Sequence, residues 1–471
     1  MNEGATMHTD VDVVVIGGGI SGLASAFRLQ QHGVSVEVLE AAPRAGGVIG
    51  SRRRDGFLYE TGPNSTLDTT PLIGELLSDL GIAAERRDAS AVAATRFIVR
   101  DGRLAALPTS PGAFLTTSAF SAGAKLRLLR EPFIAPAPAG SEESIAAFVR
   151  RRLGNEFLDY AIDPFVAGIY AGDPERISVP AAFPRLFALE QQYGSLIKGQ
   201  IKGARERKKN AEKAKNTAAS FSFAGGMQTL TDALARSIAR IEPEVRVVNI
   251  ARNDDGTYSV AGERAGAPFV RRSRAVVLAL PAYAAAGLVR PLAPAAAQAL
   301  AAIEYAPIAV AASAYRRAAV THPLAGFGFL VPKKEQRKIL GSLFSSSMFD
   351  GRAPDAAVLL TSFIGGRRNP DLPAQPDAEL ALIVQQELAA LVGATGEPLW
   401  TQITRWPQAI AQYNLGHLAH LARIGEAEAA LPGLYFCANY RGGVSVGDCI
   451  KSAQATTEGV ARFLGAASRP A

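Results

Sequence analysis

A chain of 471 residues is too long for one hydrophobic core, so two or three subdomains are expected. With 48% hydrophobic and 20% charged residues, the composition excludes a largely disordered chain. The formal charge of +7 is too modest to call for nucleic acid; an anionic substrate or membrane surface fits it, and so does neither.

The first residues, MNEGATMHTDVD, contain neither the basic nor the apolar stretch of a signal peptide. The longest apolar run, 275–289, is shorter than the roughly 20 residues of a spanning helix and is interrupted by Pro281. Cys437 and Cys449, the only two cysteines, lack zinc-ligand spacing and form no disulfide framework, which fits a reducing cytosol. A cytoplasmic location is expected, with attachment to the face of a membrane left open.

Residues Val11–Ile16 (VDVVVI) form a β-branched apolar run ending at Gly17-Gly18-Gly19. A helical pattern follows over 21–31, with Leu23, Ala24, Phe27 and Leu29 sharing one face and Gly33 stopping it. Residues 34–39 (VSVEVL) alternate again and end at Glu40. This strand–turn–helix–strand order is the βαβ unit of a parallel sheet. Segments 53–59 and 95–100 read as antiparallel pieces, the latter with a hairpin signal at Asp101-Gly102. Residues 110–154 read as helices broken by prolines, and 194–216 as a polar, basic stretch. Strands are expected again at 244–250, 257–261 and 274–280, followed by a β-rich block over 306–365 and a helix over 377–391. A last buried strand at 434–438 leads through a glycine-rich turn into a closing helix, 448–464. The economical reading is a discontinuous nucleotide domain with an antiparallel and helical middle.

Gly17, Gly19 and Gly22 fit G-x-G-x-x-G after a strand and at the opening of a helix. The first glycine allows the tight turn, the second the approach of a pyrophosphate, and the third close helix–strand packing. Free amides and the helix dipole around Gly18, Gly19, Ile20 and Ser21 favour phosphate. Glu40 ends the second strand, where its carboxylate accepts from a ribose diol, as expected for an unphosphorylated ribose. Residues 40–47 (EAAPRAGG) resemble the E-x-x-x-R-x-G-G extension of the amine-oxidase-like flavoproteins. Arg44 and the Gly46-Gly47 backbone can then reach the pyrophosphate and ribityl chain, and FAD rather than NAD is expected.

Further blocks narrow the resemblance. Residues 60–65 (ETGPNS), 165–174 (FVAGIYAGDP), 326–336 (GFGFLVPKKEQ), 405–417 (RWPQAIAQYNLGH) and 439–450 (NYRGGVSVGDCI) resemble, in order, blocks of the protoporphyrinogen oxidase family. One departure is Ile410-Ala411-Gln412-Tyr413, where the family commonly has Ile-Pro-Gln-Tyr. The resemblance implies an α/β fold like monoamine oxidase: a discontinuous Rossmann-type FAD domain, a mixed-sheet substrate domain and a helical membrane-facing domain. The corresponding ranges are 10–90, 225–305 and 400–465 for FAD; 91–100, 175–224 and 306–399 for substrate; and 101–174 for the helical part. It implies FAD contacts from Gly17 to Gly22, Glu40, Ala41, Arg44, Gly47, Gly62, Pro63, Asn64, Ser65, Val247, Trp406, Val444, Ser445 and Val446. For Trp406, ordinary core packing stays open as the other reading.

The implied reaction is the six-electron oxidation of protoporphyrinogen IX to protoporphyrin IX, with O2 as acceptor giving H2O2. A coproporphyrinogen III oxidase of the same family is the alternative. Such an enzyme needs an apolar cleft and a cation for carboxylate arms. Arg96 aligns with a propionate-pairing arginine, and its fork suits a carboxylate. Gly168 and Ala171 match cavity-lining positions. Leu330 and Phe344 are candidate walls, with core packing equally open for both. No general base and no metal site is assigned, since FAD carries the redox step. The basic stretch 198–215 reads as solvated or lipid-facing. Phe114, Leu115, Phe120, Leu126, Leu128 and Leu129, interleaved with Lys125, Arg127 and Arg130, read as a membrane-facing surface. The sequence does not fix the oligomeric state, and a homodimer stays open.

Overall fold

The structure, a computed structural model, describes residues 10–108, 111–117, 119–138, 140–207 and 218–465. It has a mixed α/β fold built on two seven-stranded sheets.

In the first sheet, Val11–Ile16 lies between Val36–Leu39 and the second half of Ala267–Leu278, parallel to both. Leu434–Phe436 extends the parallel part on the far side of Ala267–Leu278. The first half of that long strand instead pairs antiparallel with Tyr258–Arg264, which pairs with Val245–Arg252. The central strands are apolar throughout because both faces are covered. On one face, helices Ile20–Gln31 and Val446–Leu464 pack together through Leu23, Phe27, Ala453 and Val460. The expected β-α-β unit and the closing helix are therefore present, the latter starting two residues earlier than its pattern suggested.

The second sheet runs in the order Trp400–Ala411, Tyr305–Arg316, Ala357–Gly365, Ile339–Leu343, Gly328–Leu330, Phe97–Arg100 and Arg103–Ala106. It is antiparallel except between Gly328–Leu330 and Phe97–Arg100. Period-2 alternation divides its long strand: Ala309 and Ala311 face helix Asp377–Val392, while Ile308 and Val310 face a separate apolar cluster with Ala171 and Trp406. That second face matters for the site.

Several segments lie elsewhere than the sequence patterns put them. Trp400–Ala411, grouped with the nucleotide unit in the range 400–465, is an edge strand of the second sheet. Arg103–Ala106, grouped with the helical part, completes a hairpin on the same sheet. Ser220–Phe223 pairs with Thr66–Leu67 and Arg86–Asp88 of the first unit. Residues 53–59 are no single strand: Ser51–Arg54 and Phe57–Glu60 form a hairpin turned at Asp55-Gly56, both at positive φ. Pairing over long sequence distances decided the placing of Trp400–Ala411 and Ser220–Phe223, which local pattern does not encode, whereas the other two cases are local hairpins.

Between Pro111–Thr116 and Leu196–Arg207 the chain is largely helical, as expected from its proline-broken pattern. Leu126 and Leu129 are exposed there, but Phe120 is buried and stacks on Phe157 at 4.7 Å, with Phe114 beside it. Half of the anticipated apolar surface is thus a small core. The basic stretch is described only as far as helix Leu196–Arg207; its remainder, and the side chain of Leu115, lie outside the described residues.

Candidate active site

The glycine turn has the geometry its spacing called for. Gly17 has φ +104°, and a Cβ there would stand 2.5 Å from the Ala279 carbonyl oxygen. A Cβ on Gly22 would stand 1.9 Å from the Gly17 oxygen, so helix and strand approach at a distance only glycine permits. Around Gly19, by contrast, a Cβ would meet nothing within 4 Å. Gly19 caps helix Ile20–Gln31 without any side-chain hydrogen bond, so the first-turn amides face that open space. An uncapped helix N-terminus beside a clear backbone fits a diphosphate.

Glu40 accepts from Gly18 N and Ala42 N, both at 2.7 Å, so its carboxylate is fixed beside the turn. The loop after it folds back: Gly46 N donates to the Gly18 oxygen at 2.7 Å. Arg44 donates to the carbonyls of Ala45 and Ile49 at 2.8 and 2.7 Å and lies 3.6 Å from Asp232. It holds its own loop together, whereas the sequence suggested an arm reaching for phosphate. Ala41 is exposed at the start of this loop, and Ser21 is buried in the helix.

The second cofactor segment joins the first through tight backbone contacts. A Cβ on Gly62 would stand 2.1 Å from the Val48 oxygen, and Thr61 N donates to the Gly50 oxygen at 2.8 Å. Trp406 donates its indole N–H to the Thr61 oxygen at 2.7 Å, so the strand Trp400–Ala411 pins the 62–65 loop. Pro63 lies in that loop, Asn64 Nδ2 reaches the Gly62 oxygen, and Ser65 Oγ accepts from Ser220 Oγ at 3.0 Å. Behind the loop, Glu60 is buried and accepts from Ser51, Met227 N and the buried Arg352.

Ser445 caps helix Val446–Leu464 in a reciprocal box with Asp448, and Val444 precedes it half-buried. A Cβ on Gly447 would stand 3.3 Å from Thr69 Oγ1 and Ile73 Cδ1, so this helix start lies beside the end of the 62–67 segment. Val247 lies two residues beyond Val245, whose N–H donates to the Glu40 oxygen at 2.9 Å, and a bulge interrupts the ladder after it. These contacts link the segments 17–22, 40–47 and 62–65 with Trp406 and the start of helix Val446–Leu464. Sequence reasoning passed over Val48, a valine 46% exposed between Gly47 and Gly62, and Arg352; the first carries no motif and the second acts through a contact with Glu60.

On the other side, Gly168 is exposed and half-buried Leu330 leans over it: a Cβ at 168 would stand 3.0 Å from Leu330 Cδ2. Phe165 is exposed on the same helix, Asp163–Tyr170. Ala171 caps that helix at φ +47° but is buried among Ile308, Val310 and Leu340, so it backs the wall. Phe344 is fully buried against Phe97, Phe329 and His322; here core packing is the reading the structure gives, because no part of the ring meets solvent.

Arg96 is half-buried, its guanidinium 5.2 Å above the Phe327 ring, with no carboxylate partner among the described residues. Burial pulls its pKa down, which means the charge is desolvated and uncompensated. An incoming carboxylate would relieve that cost.

Comparison with known proteins gives the family. A family profile described as flavin containing amine oxidoreductase matches residues 20–461. Mitochondrial protoporphyrinogen oxidase of Nicotiana tabacum is 35% identical, covering 93% of this chain and 92% of its own. Coproporphyrinogen III oxidase of Bacillus subtilis (strain 168) is 27% identical, covering 96% and 98%. Among solved structures, an Exiguobacterium sp. 255-15 protein with a provisional protoporphyrinogen oxidase assignment superposes with a TM-score of 0.80 at 25% identity, over 97% of this chain and 99% of its own. Cyclohexylamine oxidase of Brevibacterium oxydans IH-35A shares the fold, with a TM-score of 0.70 at 18% identity over 97% and 100%.

Proposed function

Because this chain belongs to the flavin containing amine oxidoreductase family and its cofactor is FAD, we propose that it oxidises protoporphyrinogen IX to protoporphyrin IX, with O2 as acceptor and H2O2 as co-product. The observation that carries this reading is Arg96, a desolvated guanidinium with no carboxylate partner among the described residues, one residue before the strand Phe97–Arg100 that pairs with the strand of Leu330. A flat apolar ring with carboxylate arms matches that pairing of apolar wall and waiting cation.

The residues fit FAD. The Gly17–Gly22 turn would hold the pyrophosphate, Glu40 the ribose diol and the Val247 backbone the adenine edge. Residues 62–65, Trp406 and the helix start at 444–446 would frame the isoalloxazine. That group, when bound, supplies the electron chemistry. The chain's own part is to orient the macrocycle through Arg96, flatten it along Gly168 and Leu330, and shield the reacting carbon from water. A helix N-terminus at 444–446 would favour negative charge on a flavin held beside it.

We read the chain as an FAD unit around the first sheet, a substrate unit around the second, and a helical part between them that rests on a membrane surface. Exposed Leu126, Leu129 and Phe133, the last 86% exposed with Lys198 above its ring, support the lipid contact. No helix among the described residues is long and apolar enough to cross a membrane.

The test incubates the purified FAD-loaded protein with protoporphyrinogen IX and coproporphyrinogen III separately, and follows porphyrin fluorescence and peroxide. Faster formation of protoporphyrin supports the reading. Faster formation of coproporphyrin would replace it with the second reading, for which the Bacillus subtilis relative speaks. No porphyrin from either substrate would overturn both.

A further inference from the structure

Tyr413 joins two segments that the sequence motifs treat as separate. Its side chain is 2% exposed, just beyond the edge strand Trp400–Ala411. The hydroxyl donates to the Asn439 oxygen at 2.9 Å and accepts from Gly443 N at 2.9 Å, so one oxygen closes both ends of the 439–443 turn. Gly442 and Gly443 take φ +82° and +125°, and a Cβ at 443 would stand 2.4 Å from the Asp448 carboxyl. The turn is thus held between a phenol and an acid, and it delivers Ser445 to the start of helix Val446–Leu464.

The ring of Tyr413 makes the second connection. It stacks on His417 at 4.2 Å, and the Tyr170 ring lies 5.6 Å away on the helix that carries Gly168. Neighbouring Gln412 donates to the Tyr170 oxygen at 2.8 Å, and Ser178 N donates to the Tyr413 oxygen at 2.8 Å. His417 in turn contacts the Tyr440 oxygen at 2.9 Å, inside the same turn. Burial keeps the phenol protonated, so its donor role holds across the working pH range.

We propose that Tyr413 is a positioning residue for the flavin: its hydroxyl fixes the 439–443 turn, and so aims the capped helix start at the pyrimidine end of the isoalloxazine, while its ring ties that turn to the substrate-side helix. The inference rests on the placing of the isoalloxazine against residues 444–446. Removing the hydroxyl leaves the Gly443 amide without its acceptor in a part-buried site. The turn then relaxes toward another partner, and the helix start loses its fixed aim. The reduced, more negative flavin depends on that aim more than the oxidised form does.

The experiment compares wild type, Tyr413→Phe and Tyr315→Phe, the last a buried tyrosine whose hydroxyl has no hydrogen-bond partner among the described residues. Each apoprotein is titrated with FAD, and the two-electron potential of each holoprotein is measured. Tyr413→Phe should bind FAD about tenfold more weakly. A further tenfold loss for the reduced form would lower the potential by about 30 mV. Tyr315→Phe should leave both at the wild-type values. A Tyr413→Phe protein with wild-type potential and affinity overturns the inference while leaving the cofactor reading intact. A wild-type apoprotein that takes up no FAD overturns both. Hydrogen exchange on the wild type is a second measurement that needs no variant: amides of 439–446 should slow when FAD is added, and unchanged exchange there overturns the inference.

Discussion

Gly47 lies over Gly19. A Cβ built on Gly47 would stand 3.1 Å from the Gly19 Cα, and neighbouring Gly46 donates its N–H to Gly18. Gly46-Gly47 therefore packs directly on Gly18-Gly19, beside the open space at the start of helix Ile20–Gln31. Gly47 also takes φ +58°, so Gly47→Ala costs about 1 kcal/mol in backbone strain and pushes the loop off the turn. Flavin absorbance per protein should fall at least about tenfold after dialysis, with a melting loss of only a few degrees. Undiminished flavin content would show that the loop does not close on the cofactor.

Arg96 has no carboxylate partner to lose among the described residues, which separates its roles. Arg96→Ala should raise KM for the porphyrinogen by about 10- to 100-fold, as expected for one charge-assisted pair, with kcat less affected. Its melting temperature should stay level or rise, because an uncompensated desolvated charge has been removed. Arg96→Lys should recover part of the loss but not the bidentate geometry. A large fall in stability with unchanged KM would assign Arg96 to structure.

Arg352 and Glu60 form a buried ion pair whose side chains are 3% and 1% exposed. Arg352→Met leaves the Glu60 carboxylate buried beside Ser51 and Met227, so urea unfolding should show a loss of about 3–5 kcal/mol. Arg150→Ala breaks the surface pair with Glu175 and should cost under about 1 kcal/mol. Equal losses in the two variants would contradict this ranking.

His417 links stability to pH. Burial pulls its pKa from the usual 6.5 down to about 4. Between those values the unfolded chain binds a proton that the folded one refuses, so stability is full above about pH 6.5 and falls as the pH drops toward 4. The loss amounts to about 3 kcal/mol at most. Half-buried His322, also lowered by burial, adds with the same sign. His417→Gln, which still donates to the Tyr440 oxygen, should flatten the melting curve against pH in this window. An unchanged slope would mean that other groups carry it.

Leu126, Leu129 and Phe133 test the membrane reading. The triple change to serine should reduce sedimentation with anionic vesicles by about tenfold or more and leave catalysis on a detergent-dispersed substrate unchanged. Equal vesicle binding would remove lipid as the partner of this patch.

By itself the sequence determined the Val11–Ile16 strand, the glycine turn, Glu40 and the helix starting at Ile20, because each is written in signals that lie within a few turns of one another. The motif blocks likewise carried the family and its cofactor. Only the tertiary structure decided that Trp400–Ala411 joins the second sheet, that Phe344 is core, that Arg44 staples its own loop and that Arg96 has no acid beside it among the described residues. Sheet pairing and burial depend on segments far apart in sequence, and the loop that Arg44 staples is shaped by its contact with the glycine turn. No local pattern carries that information, since desolvation is a property of the packed whole.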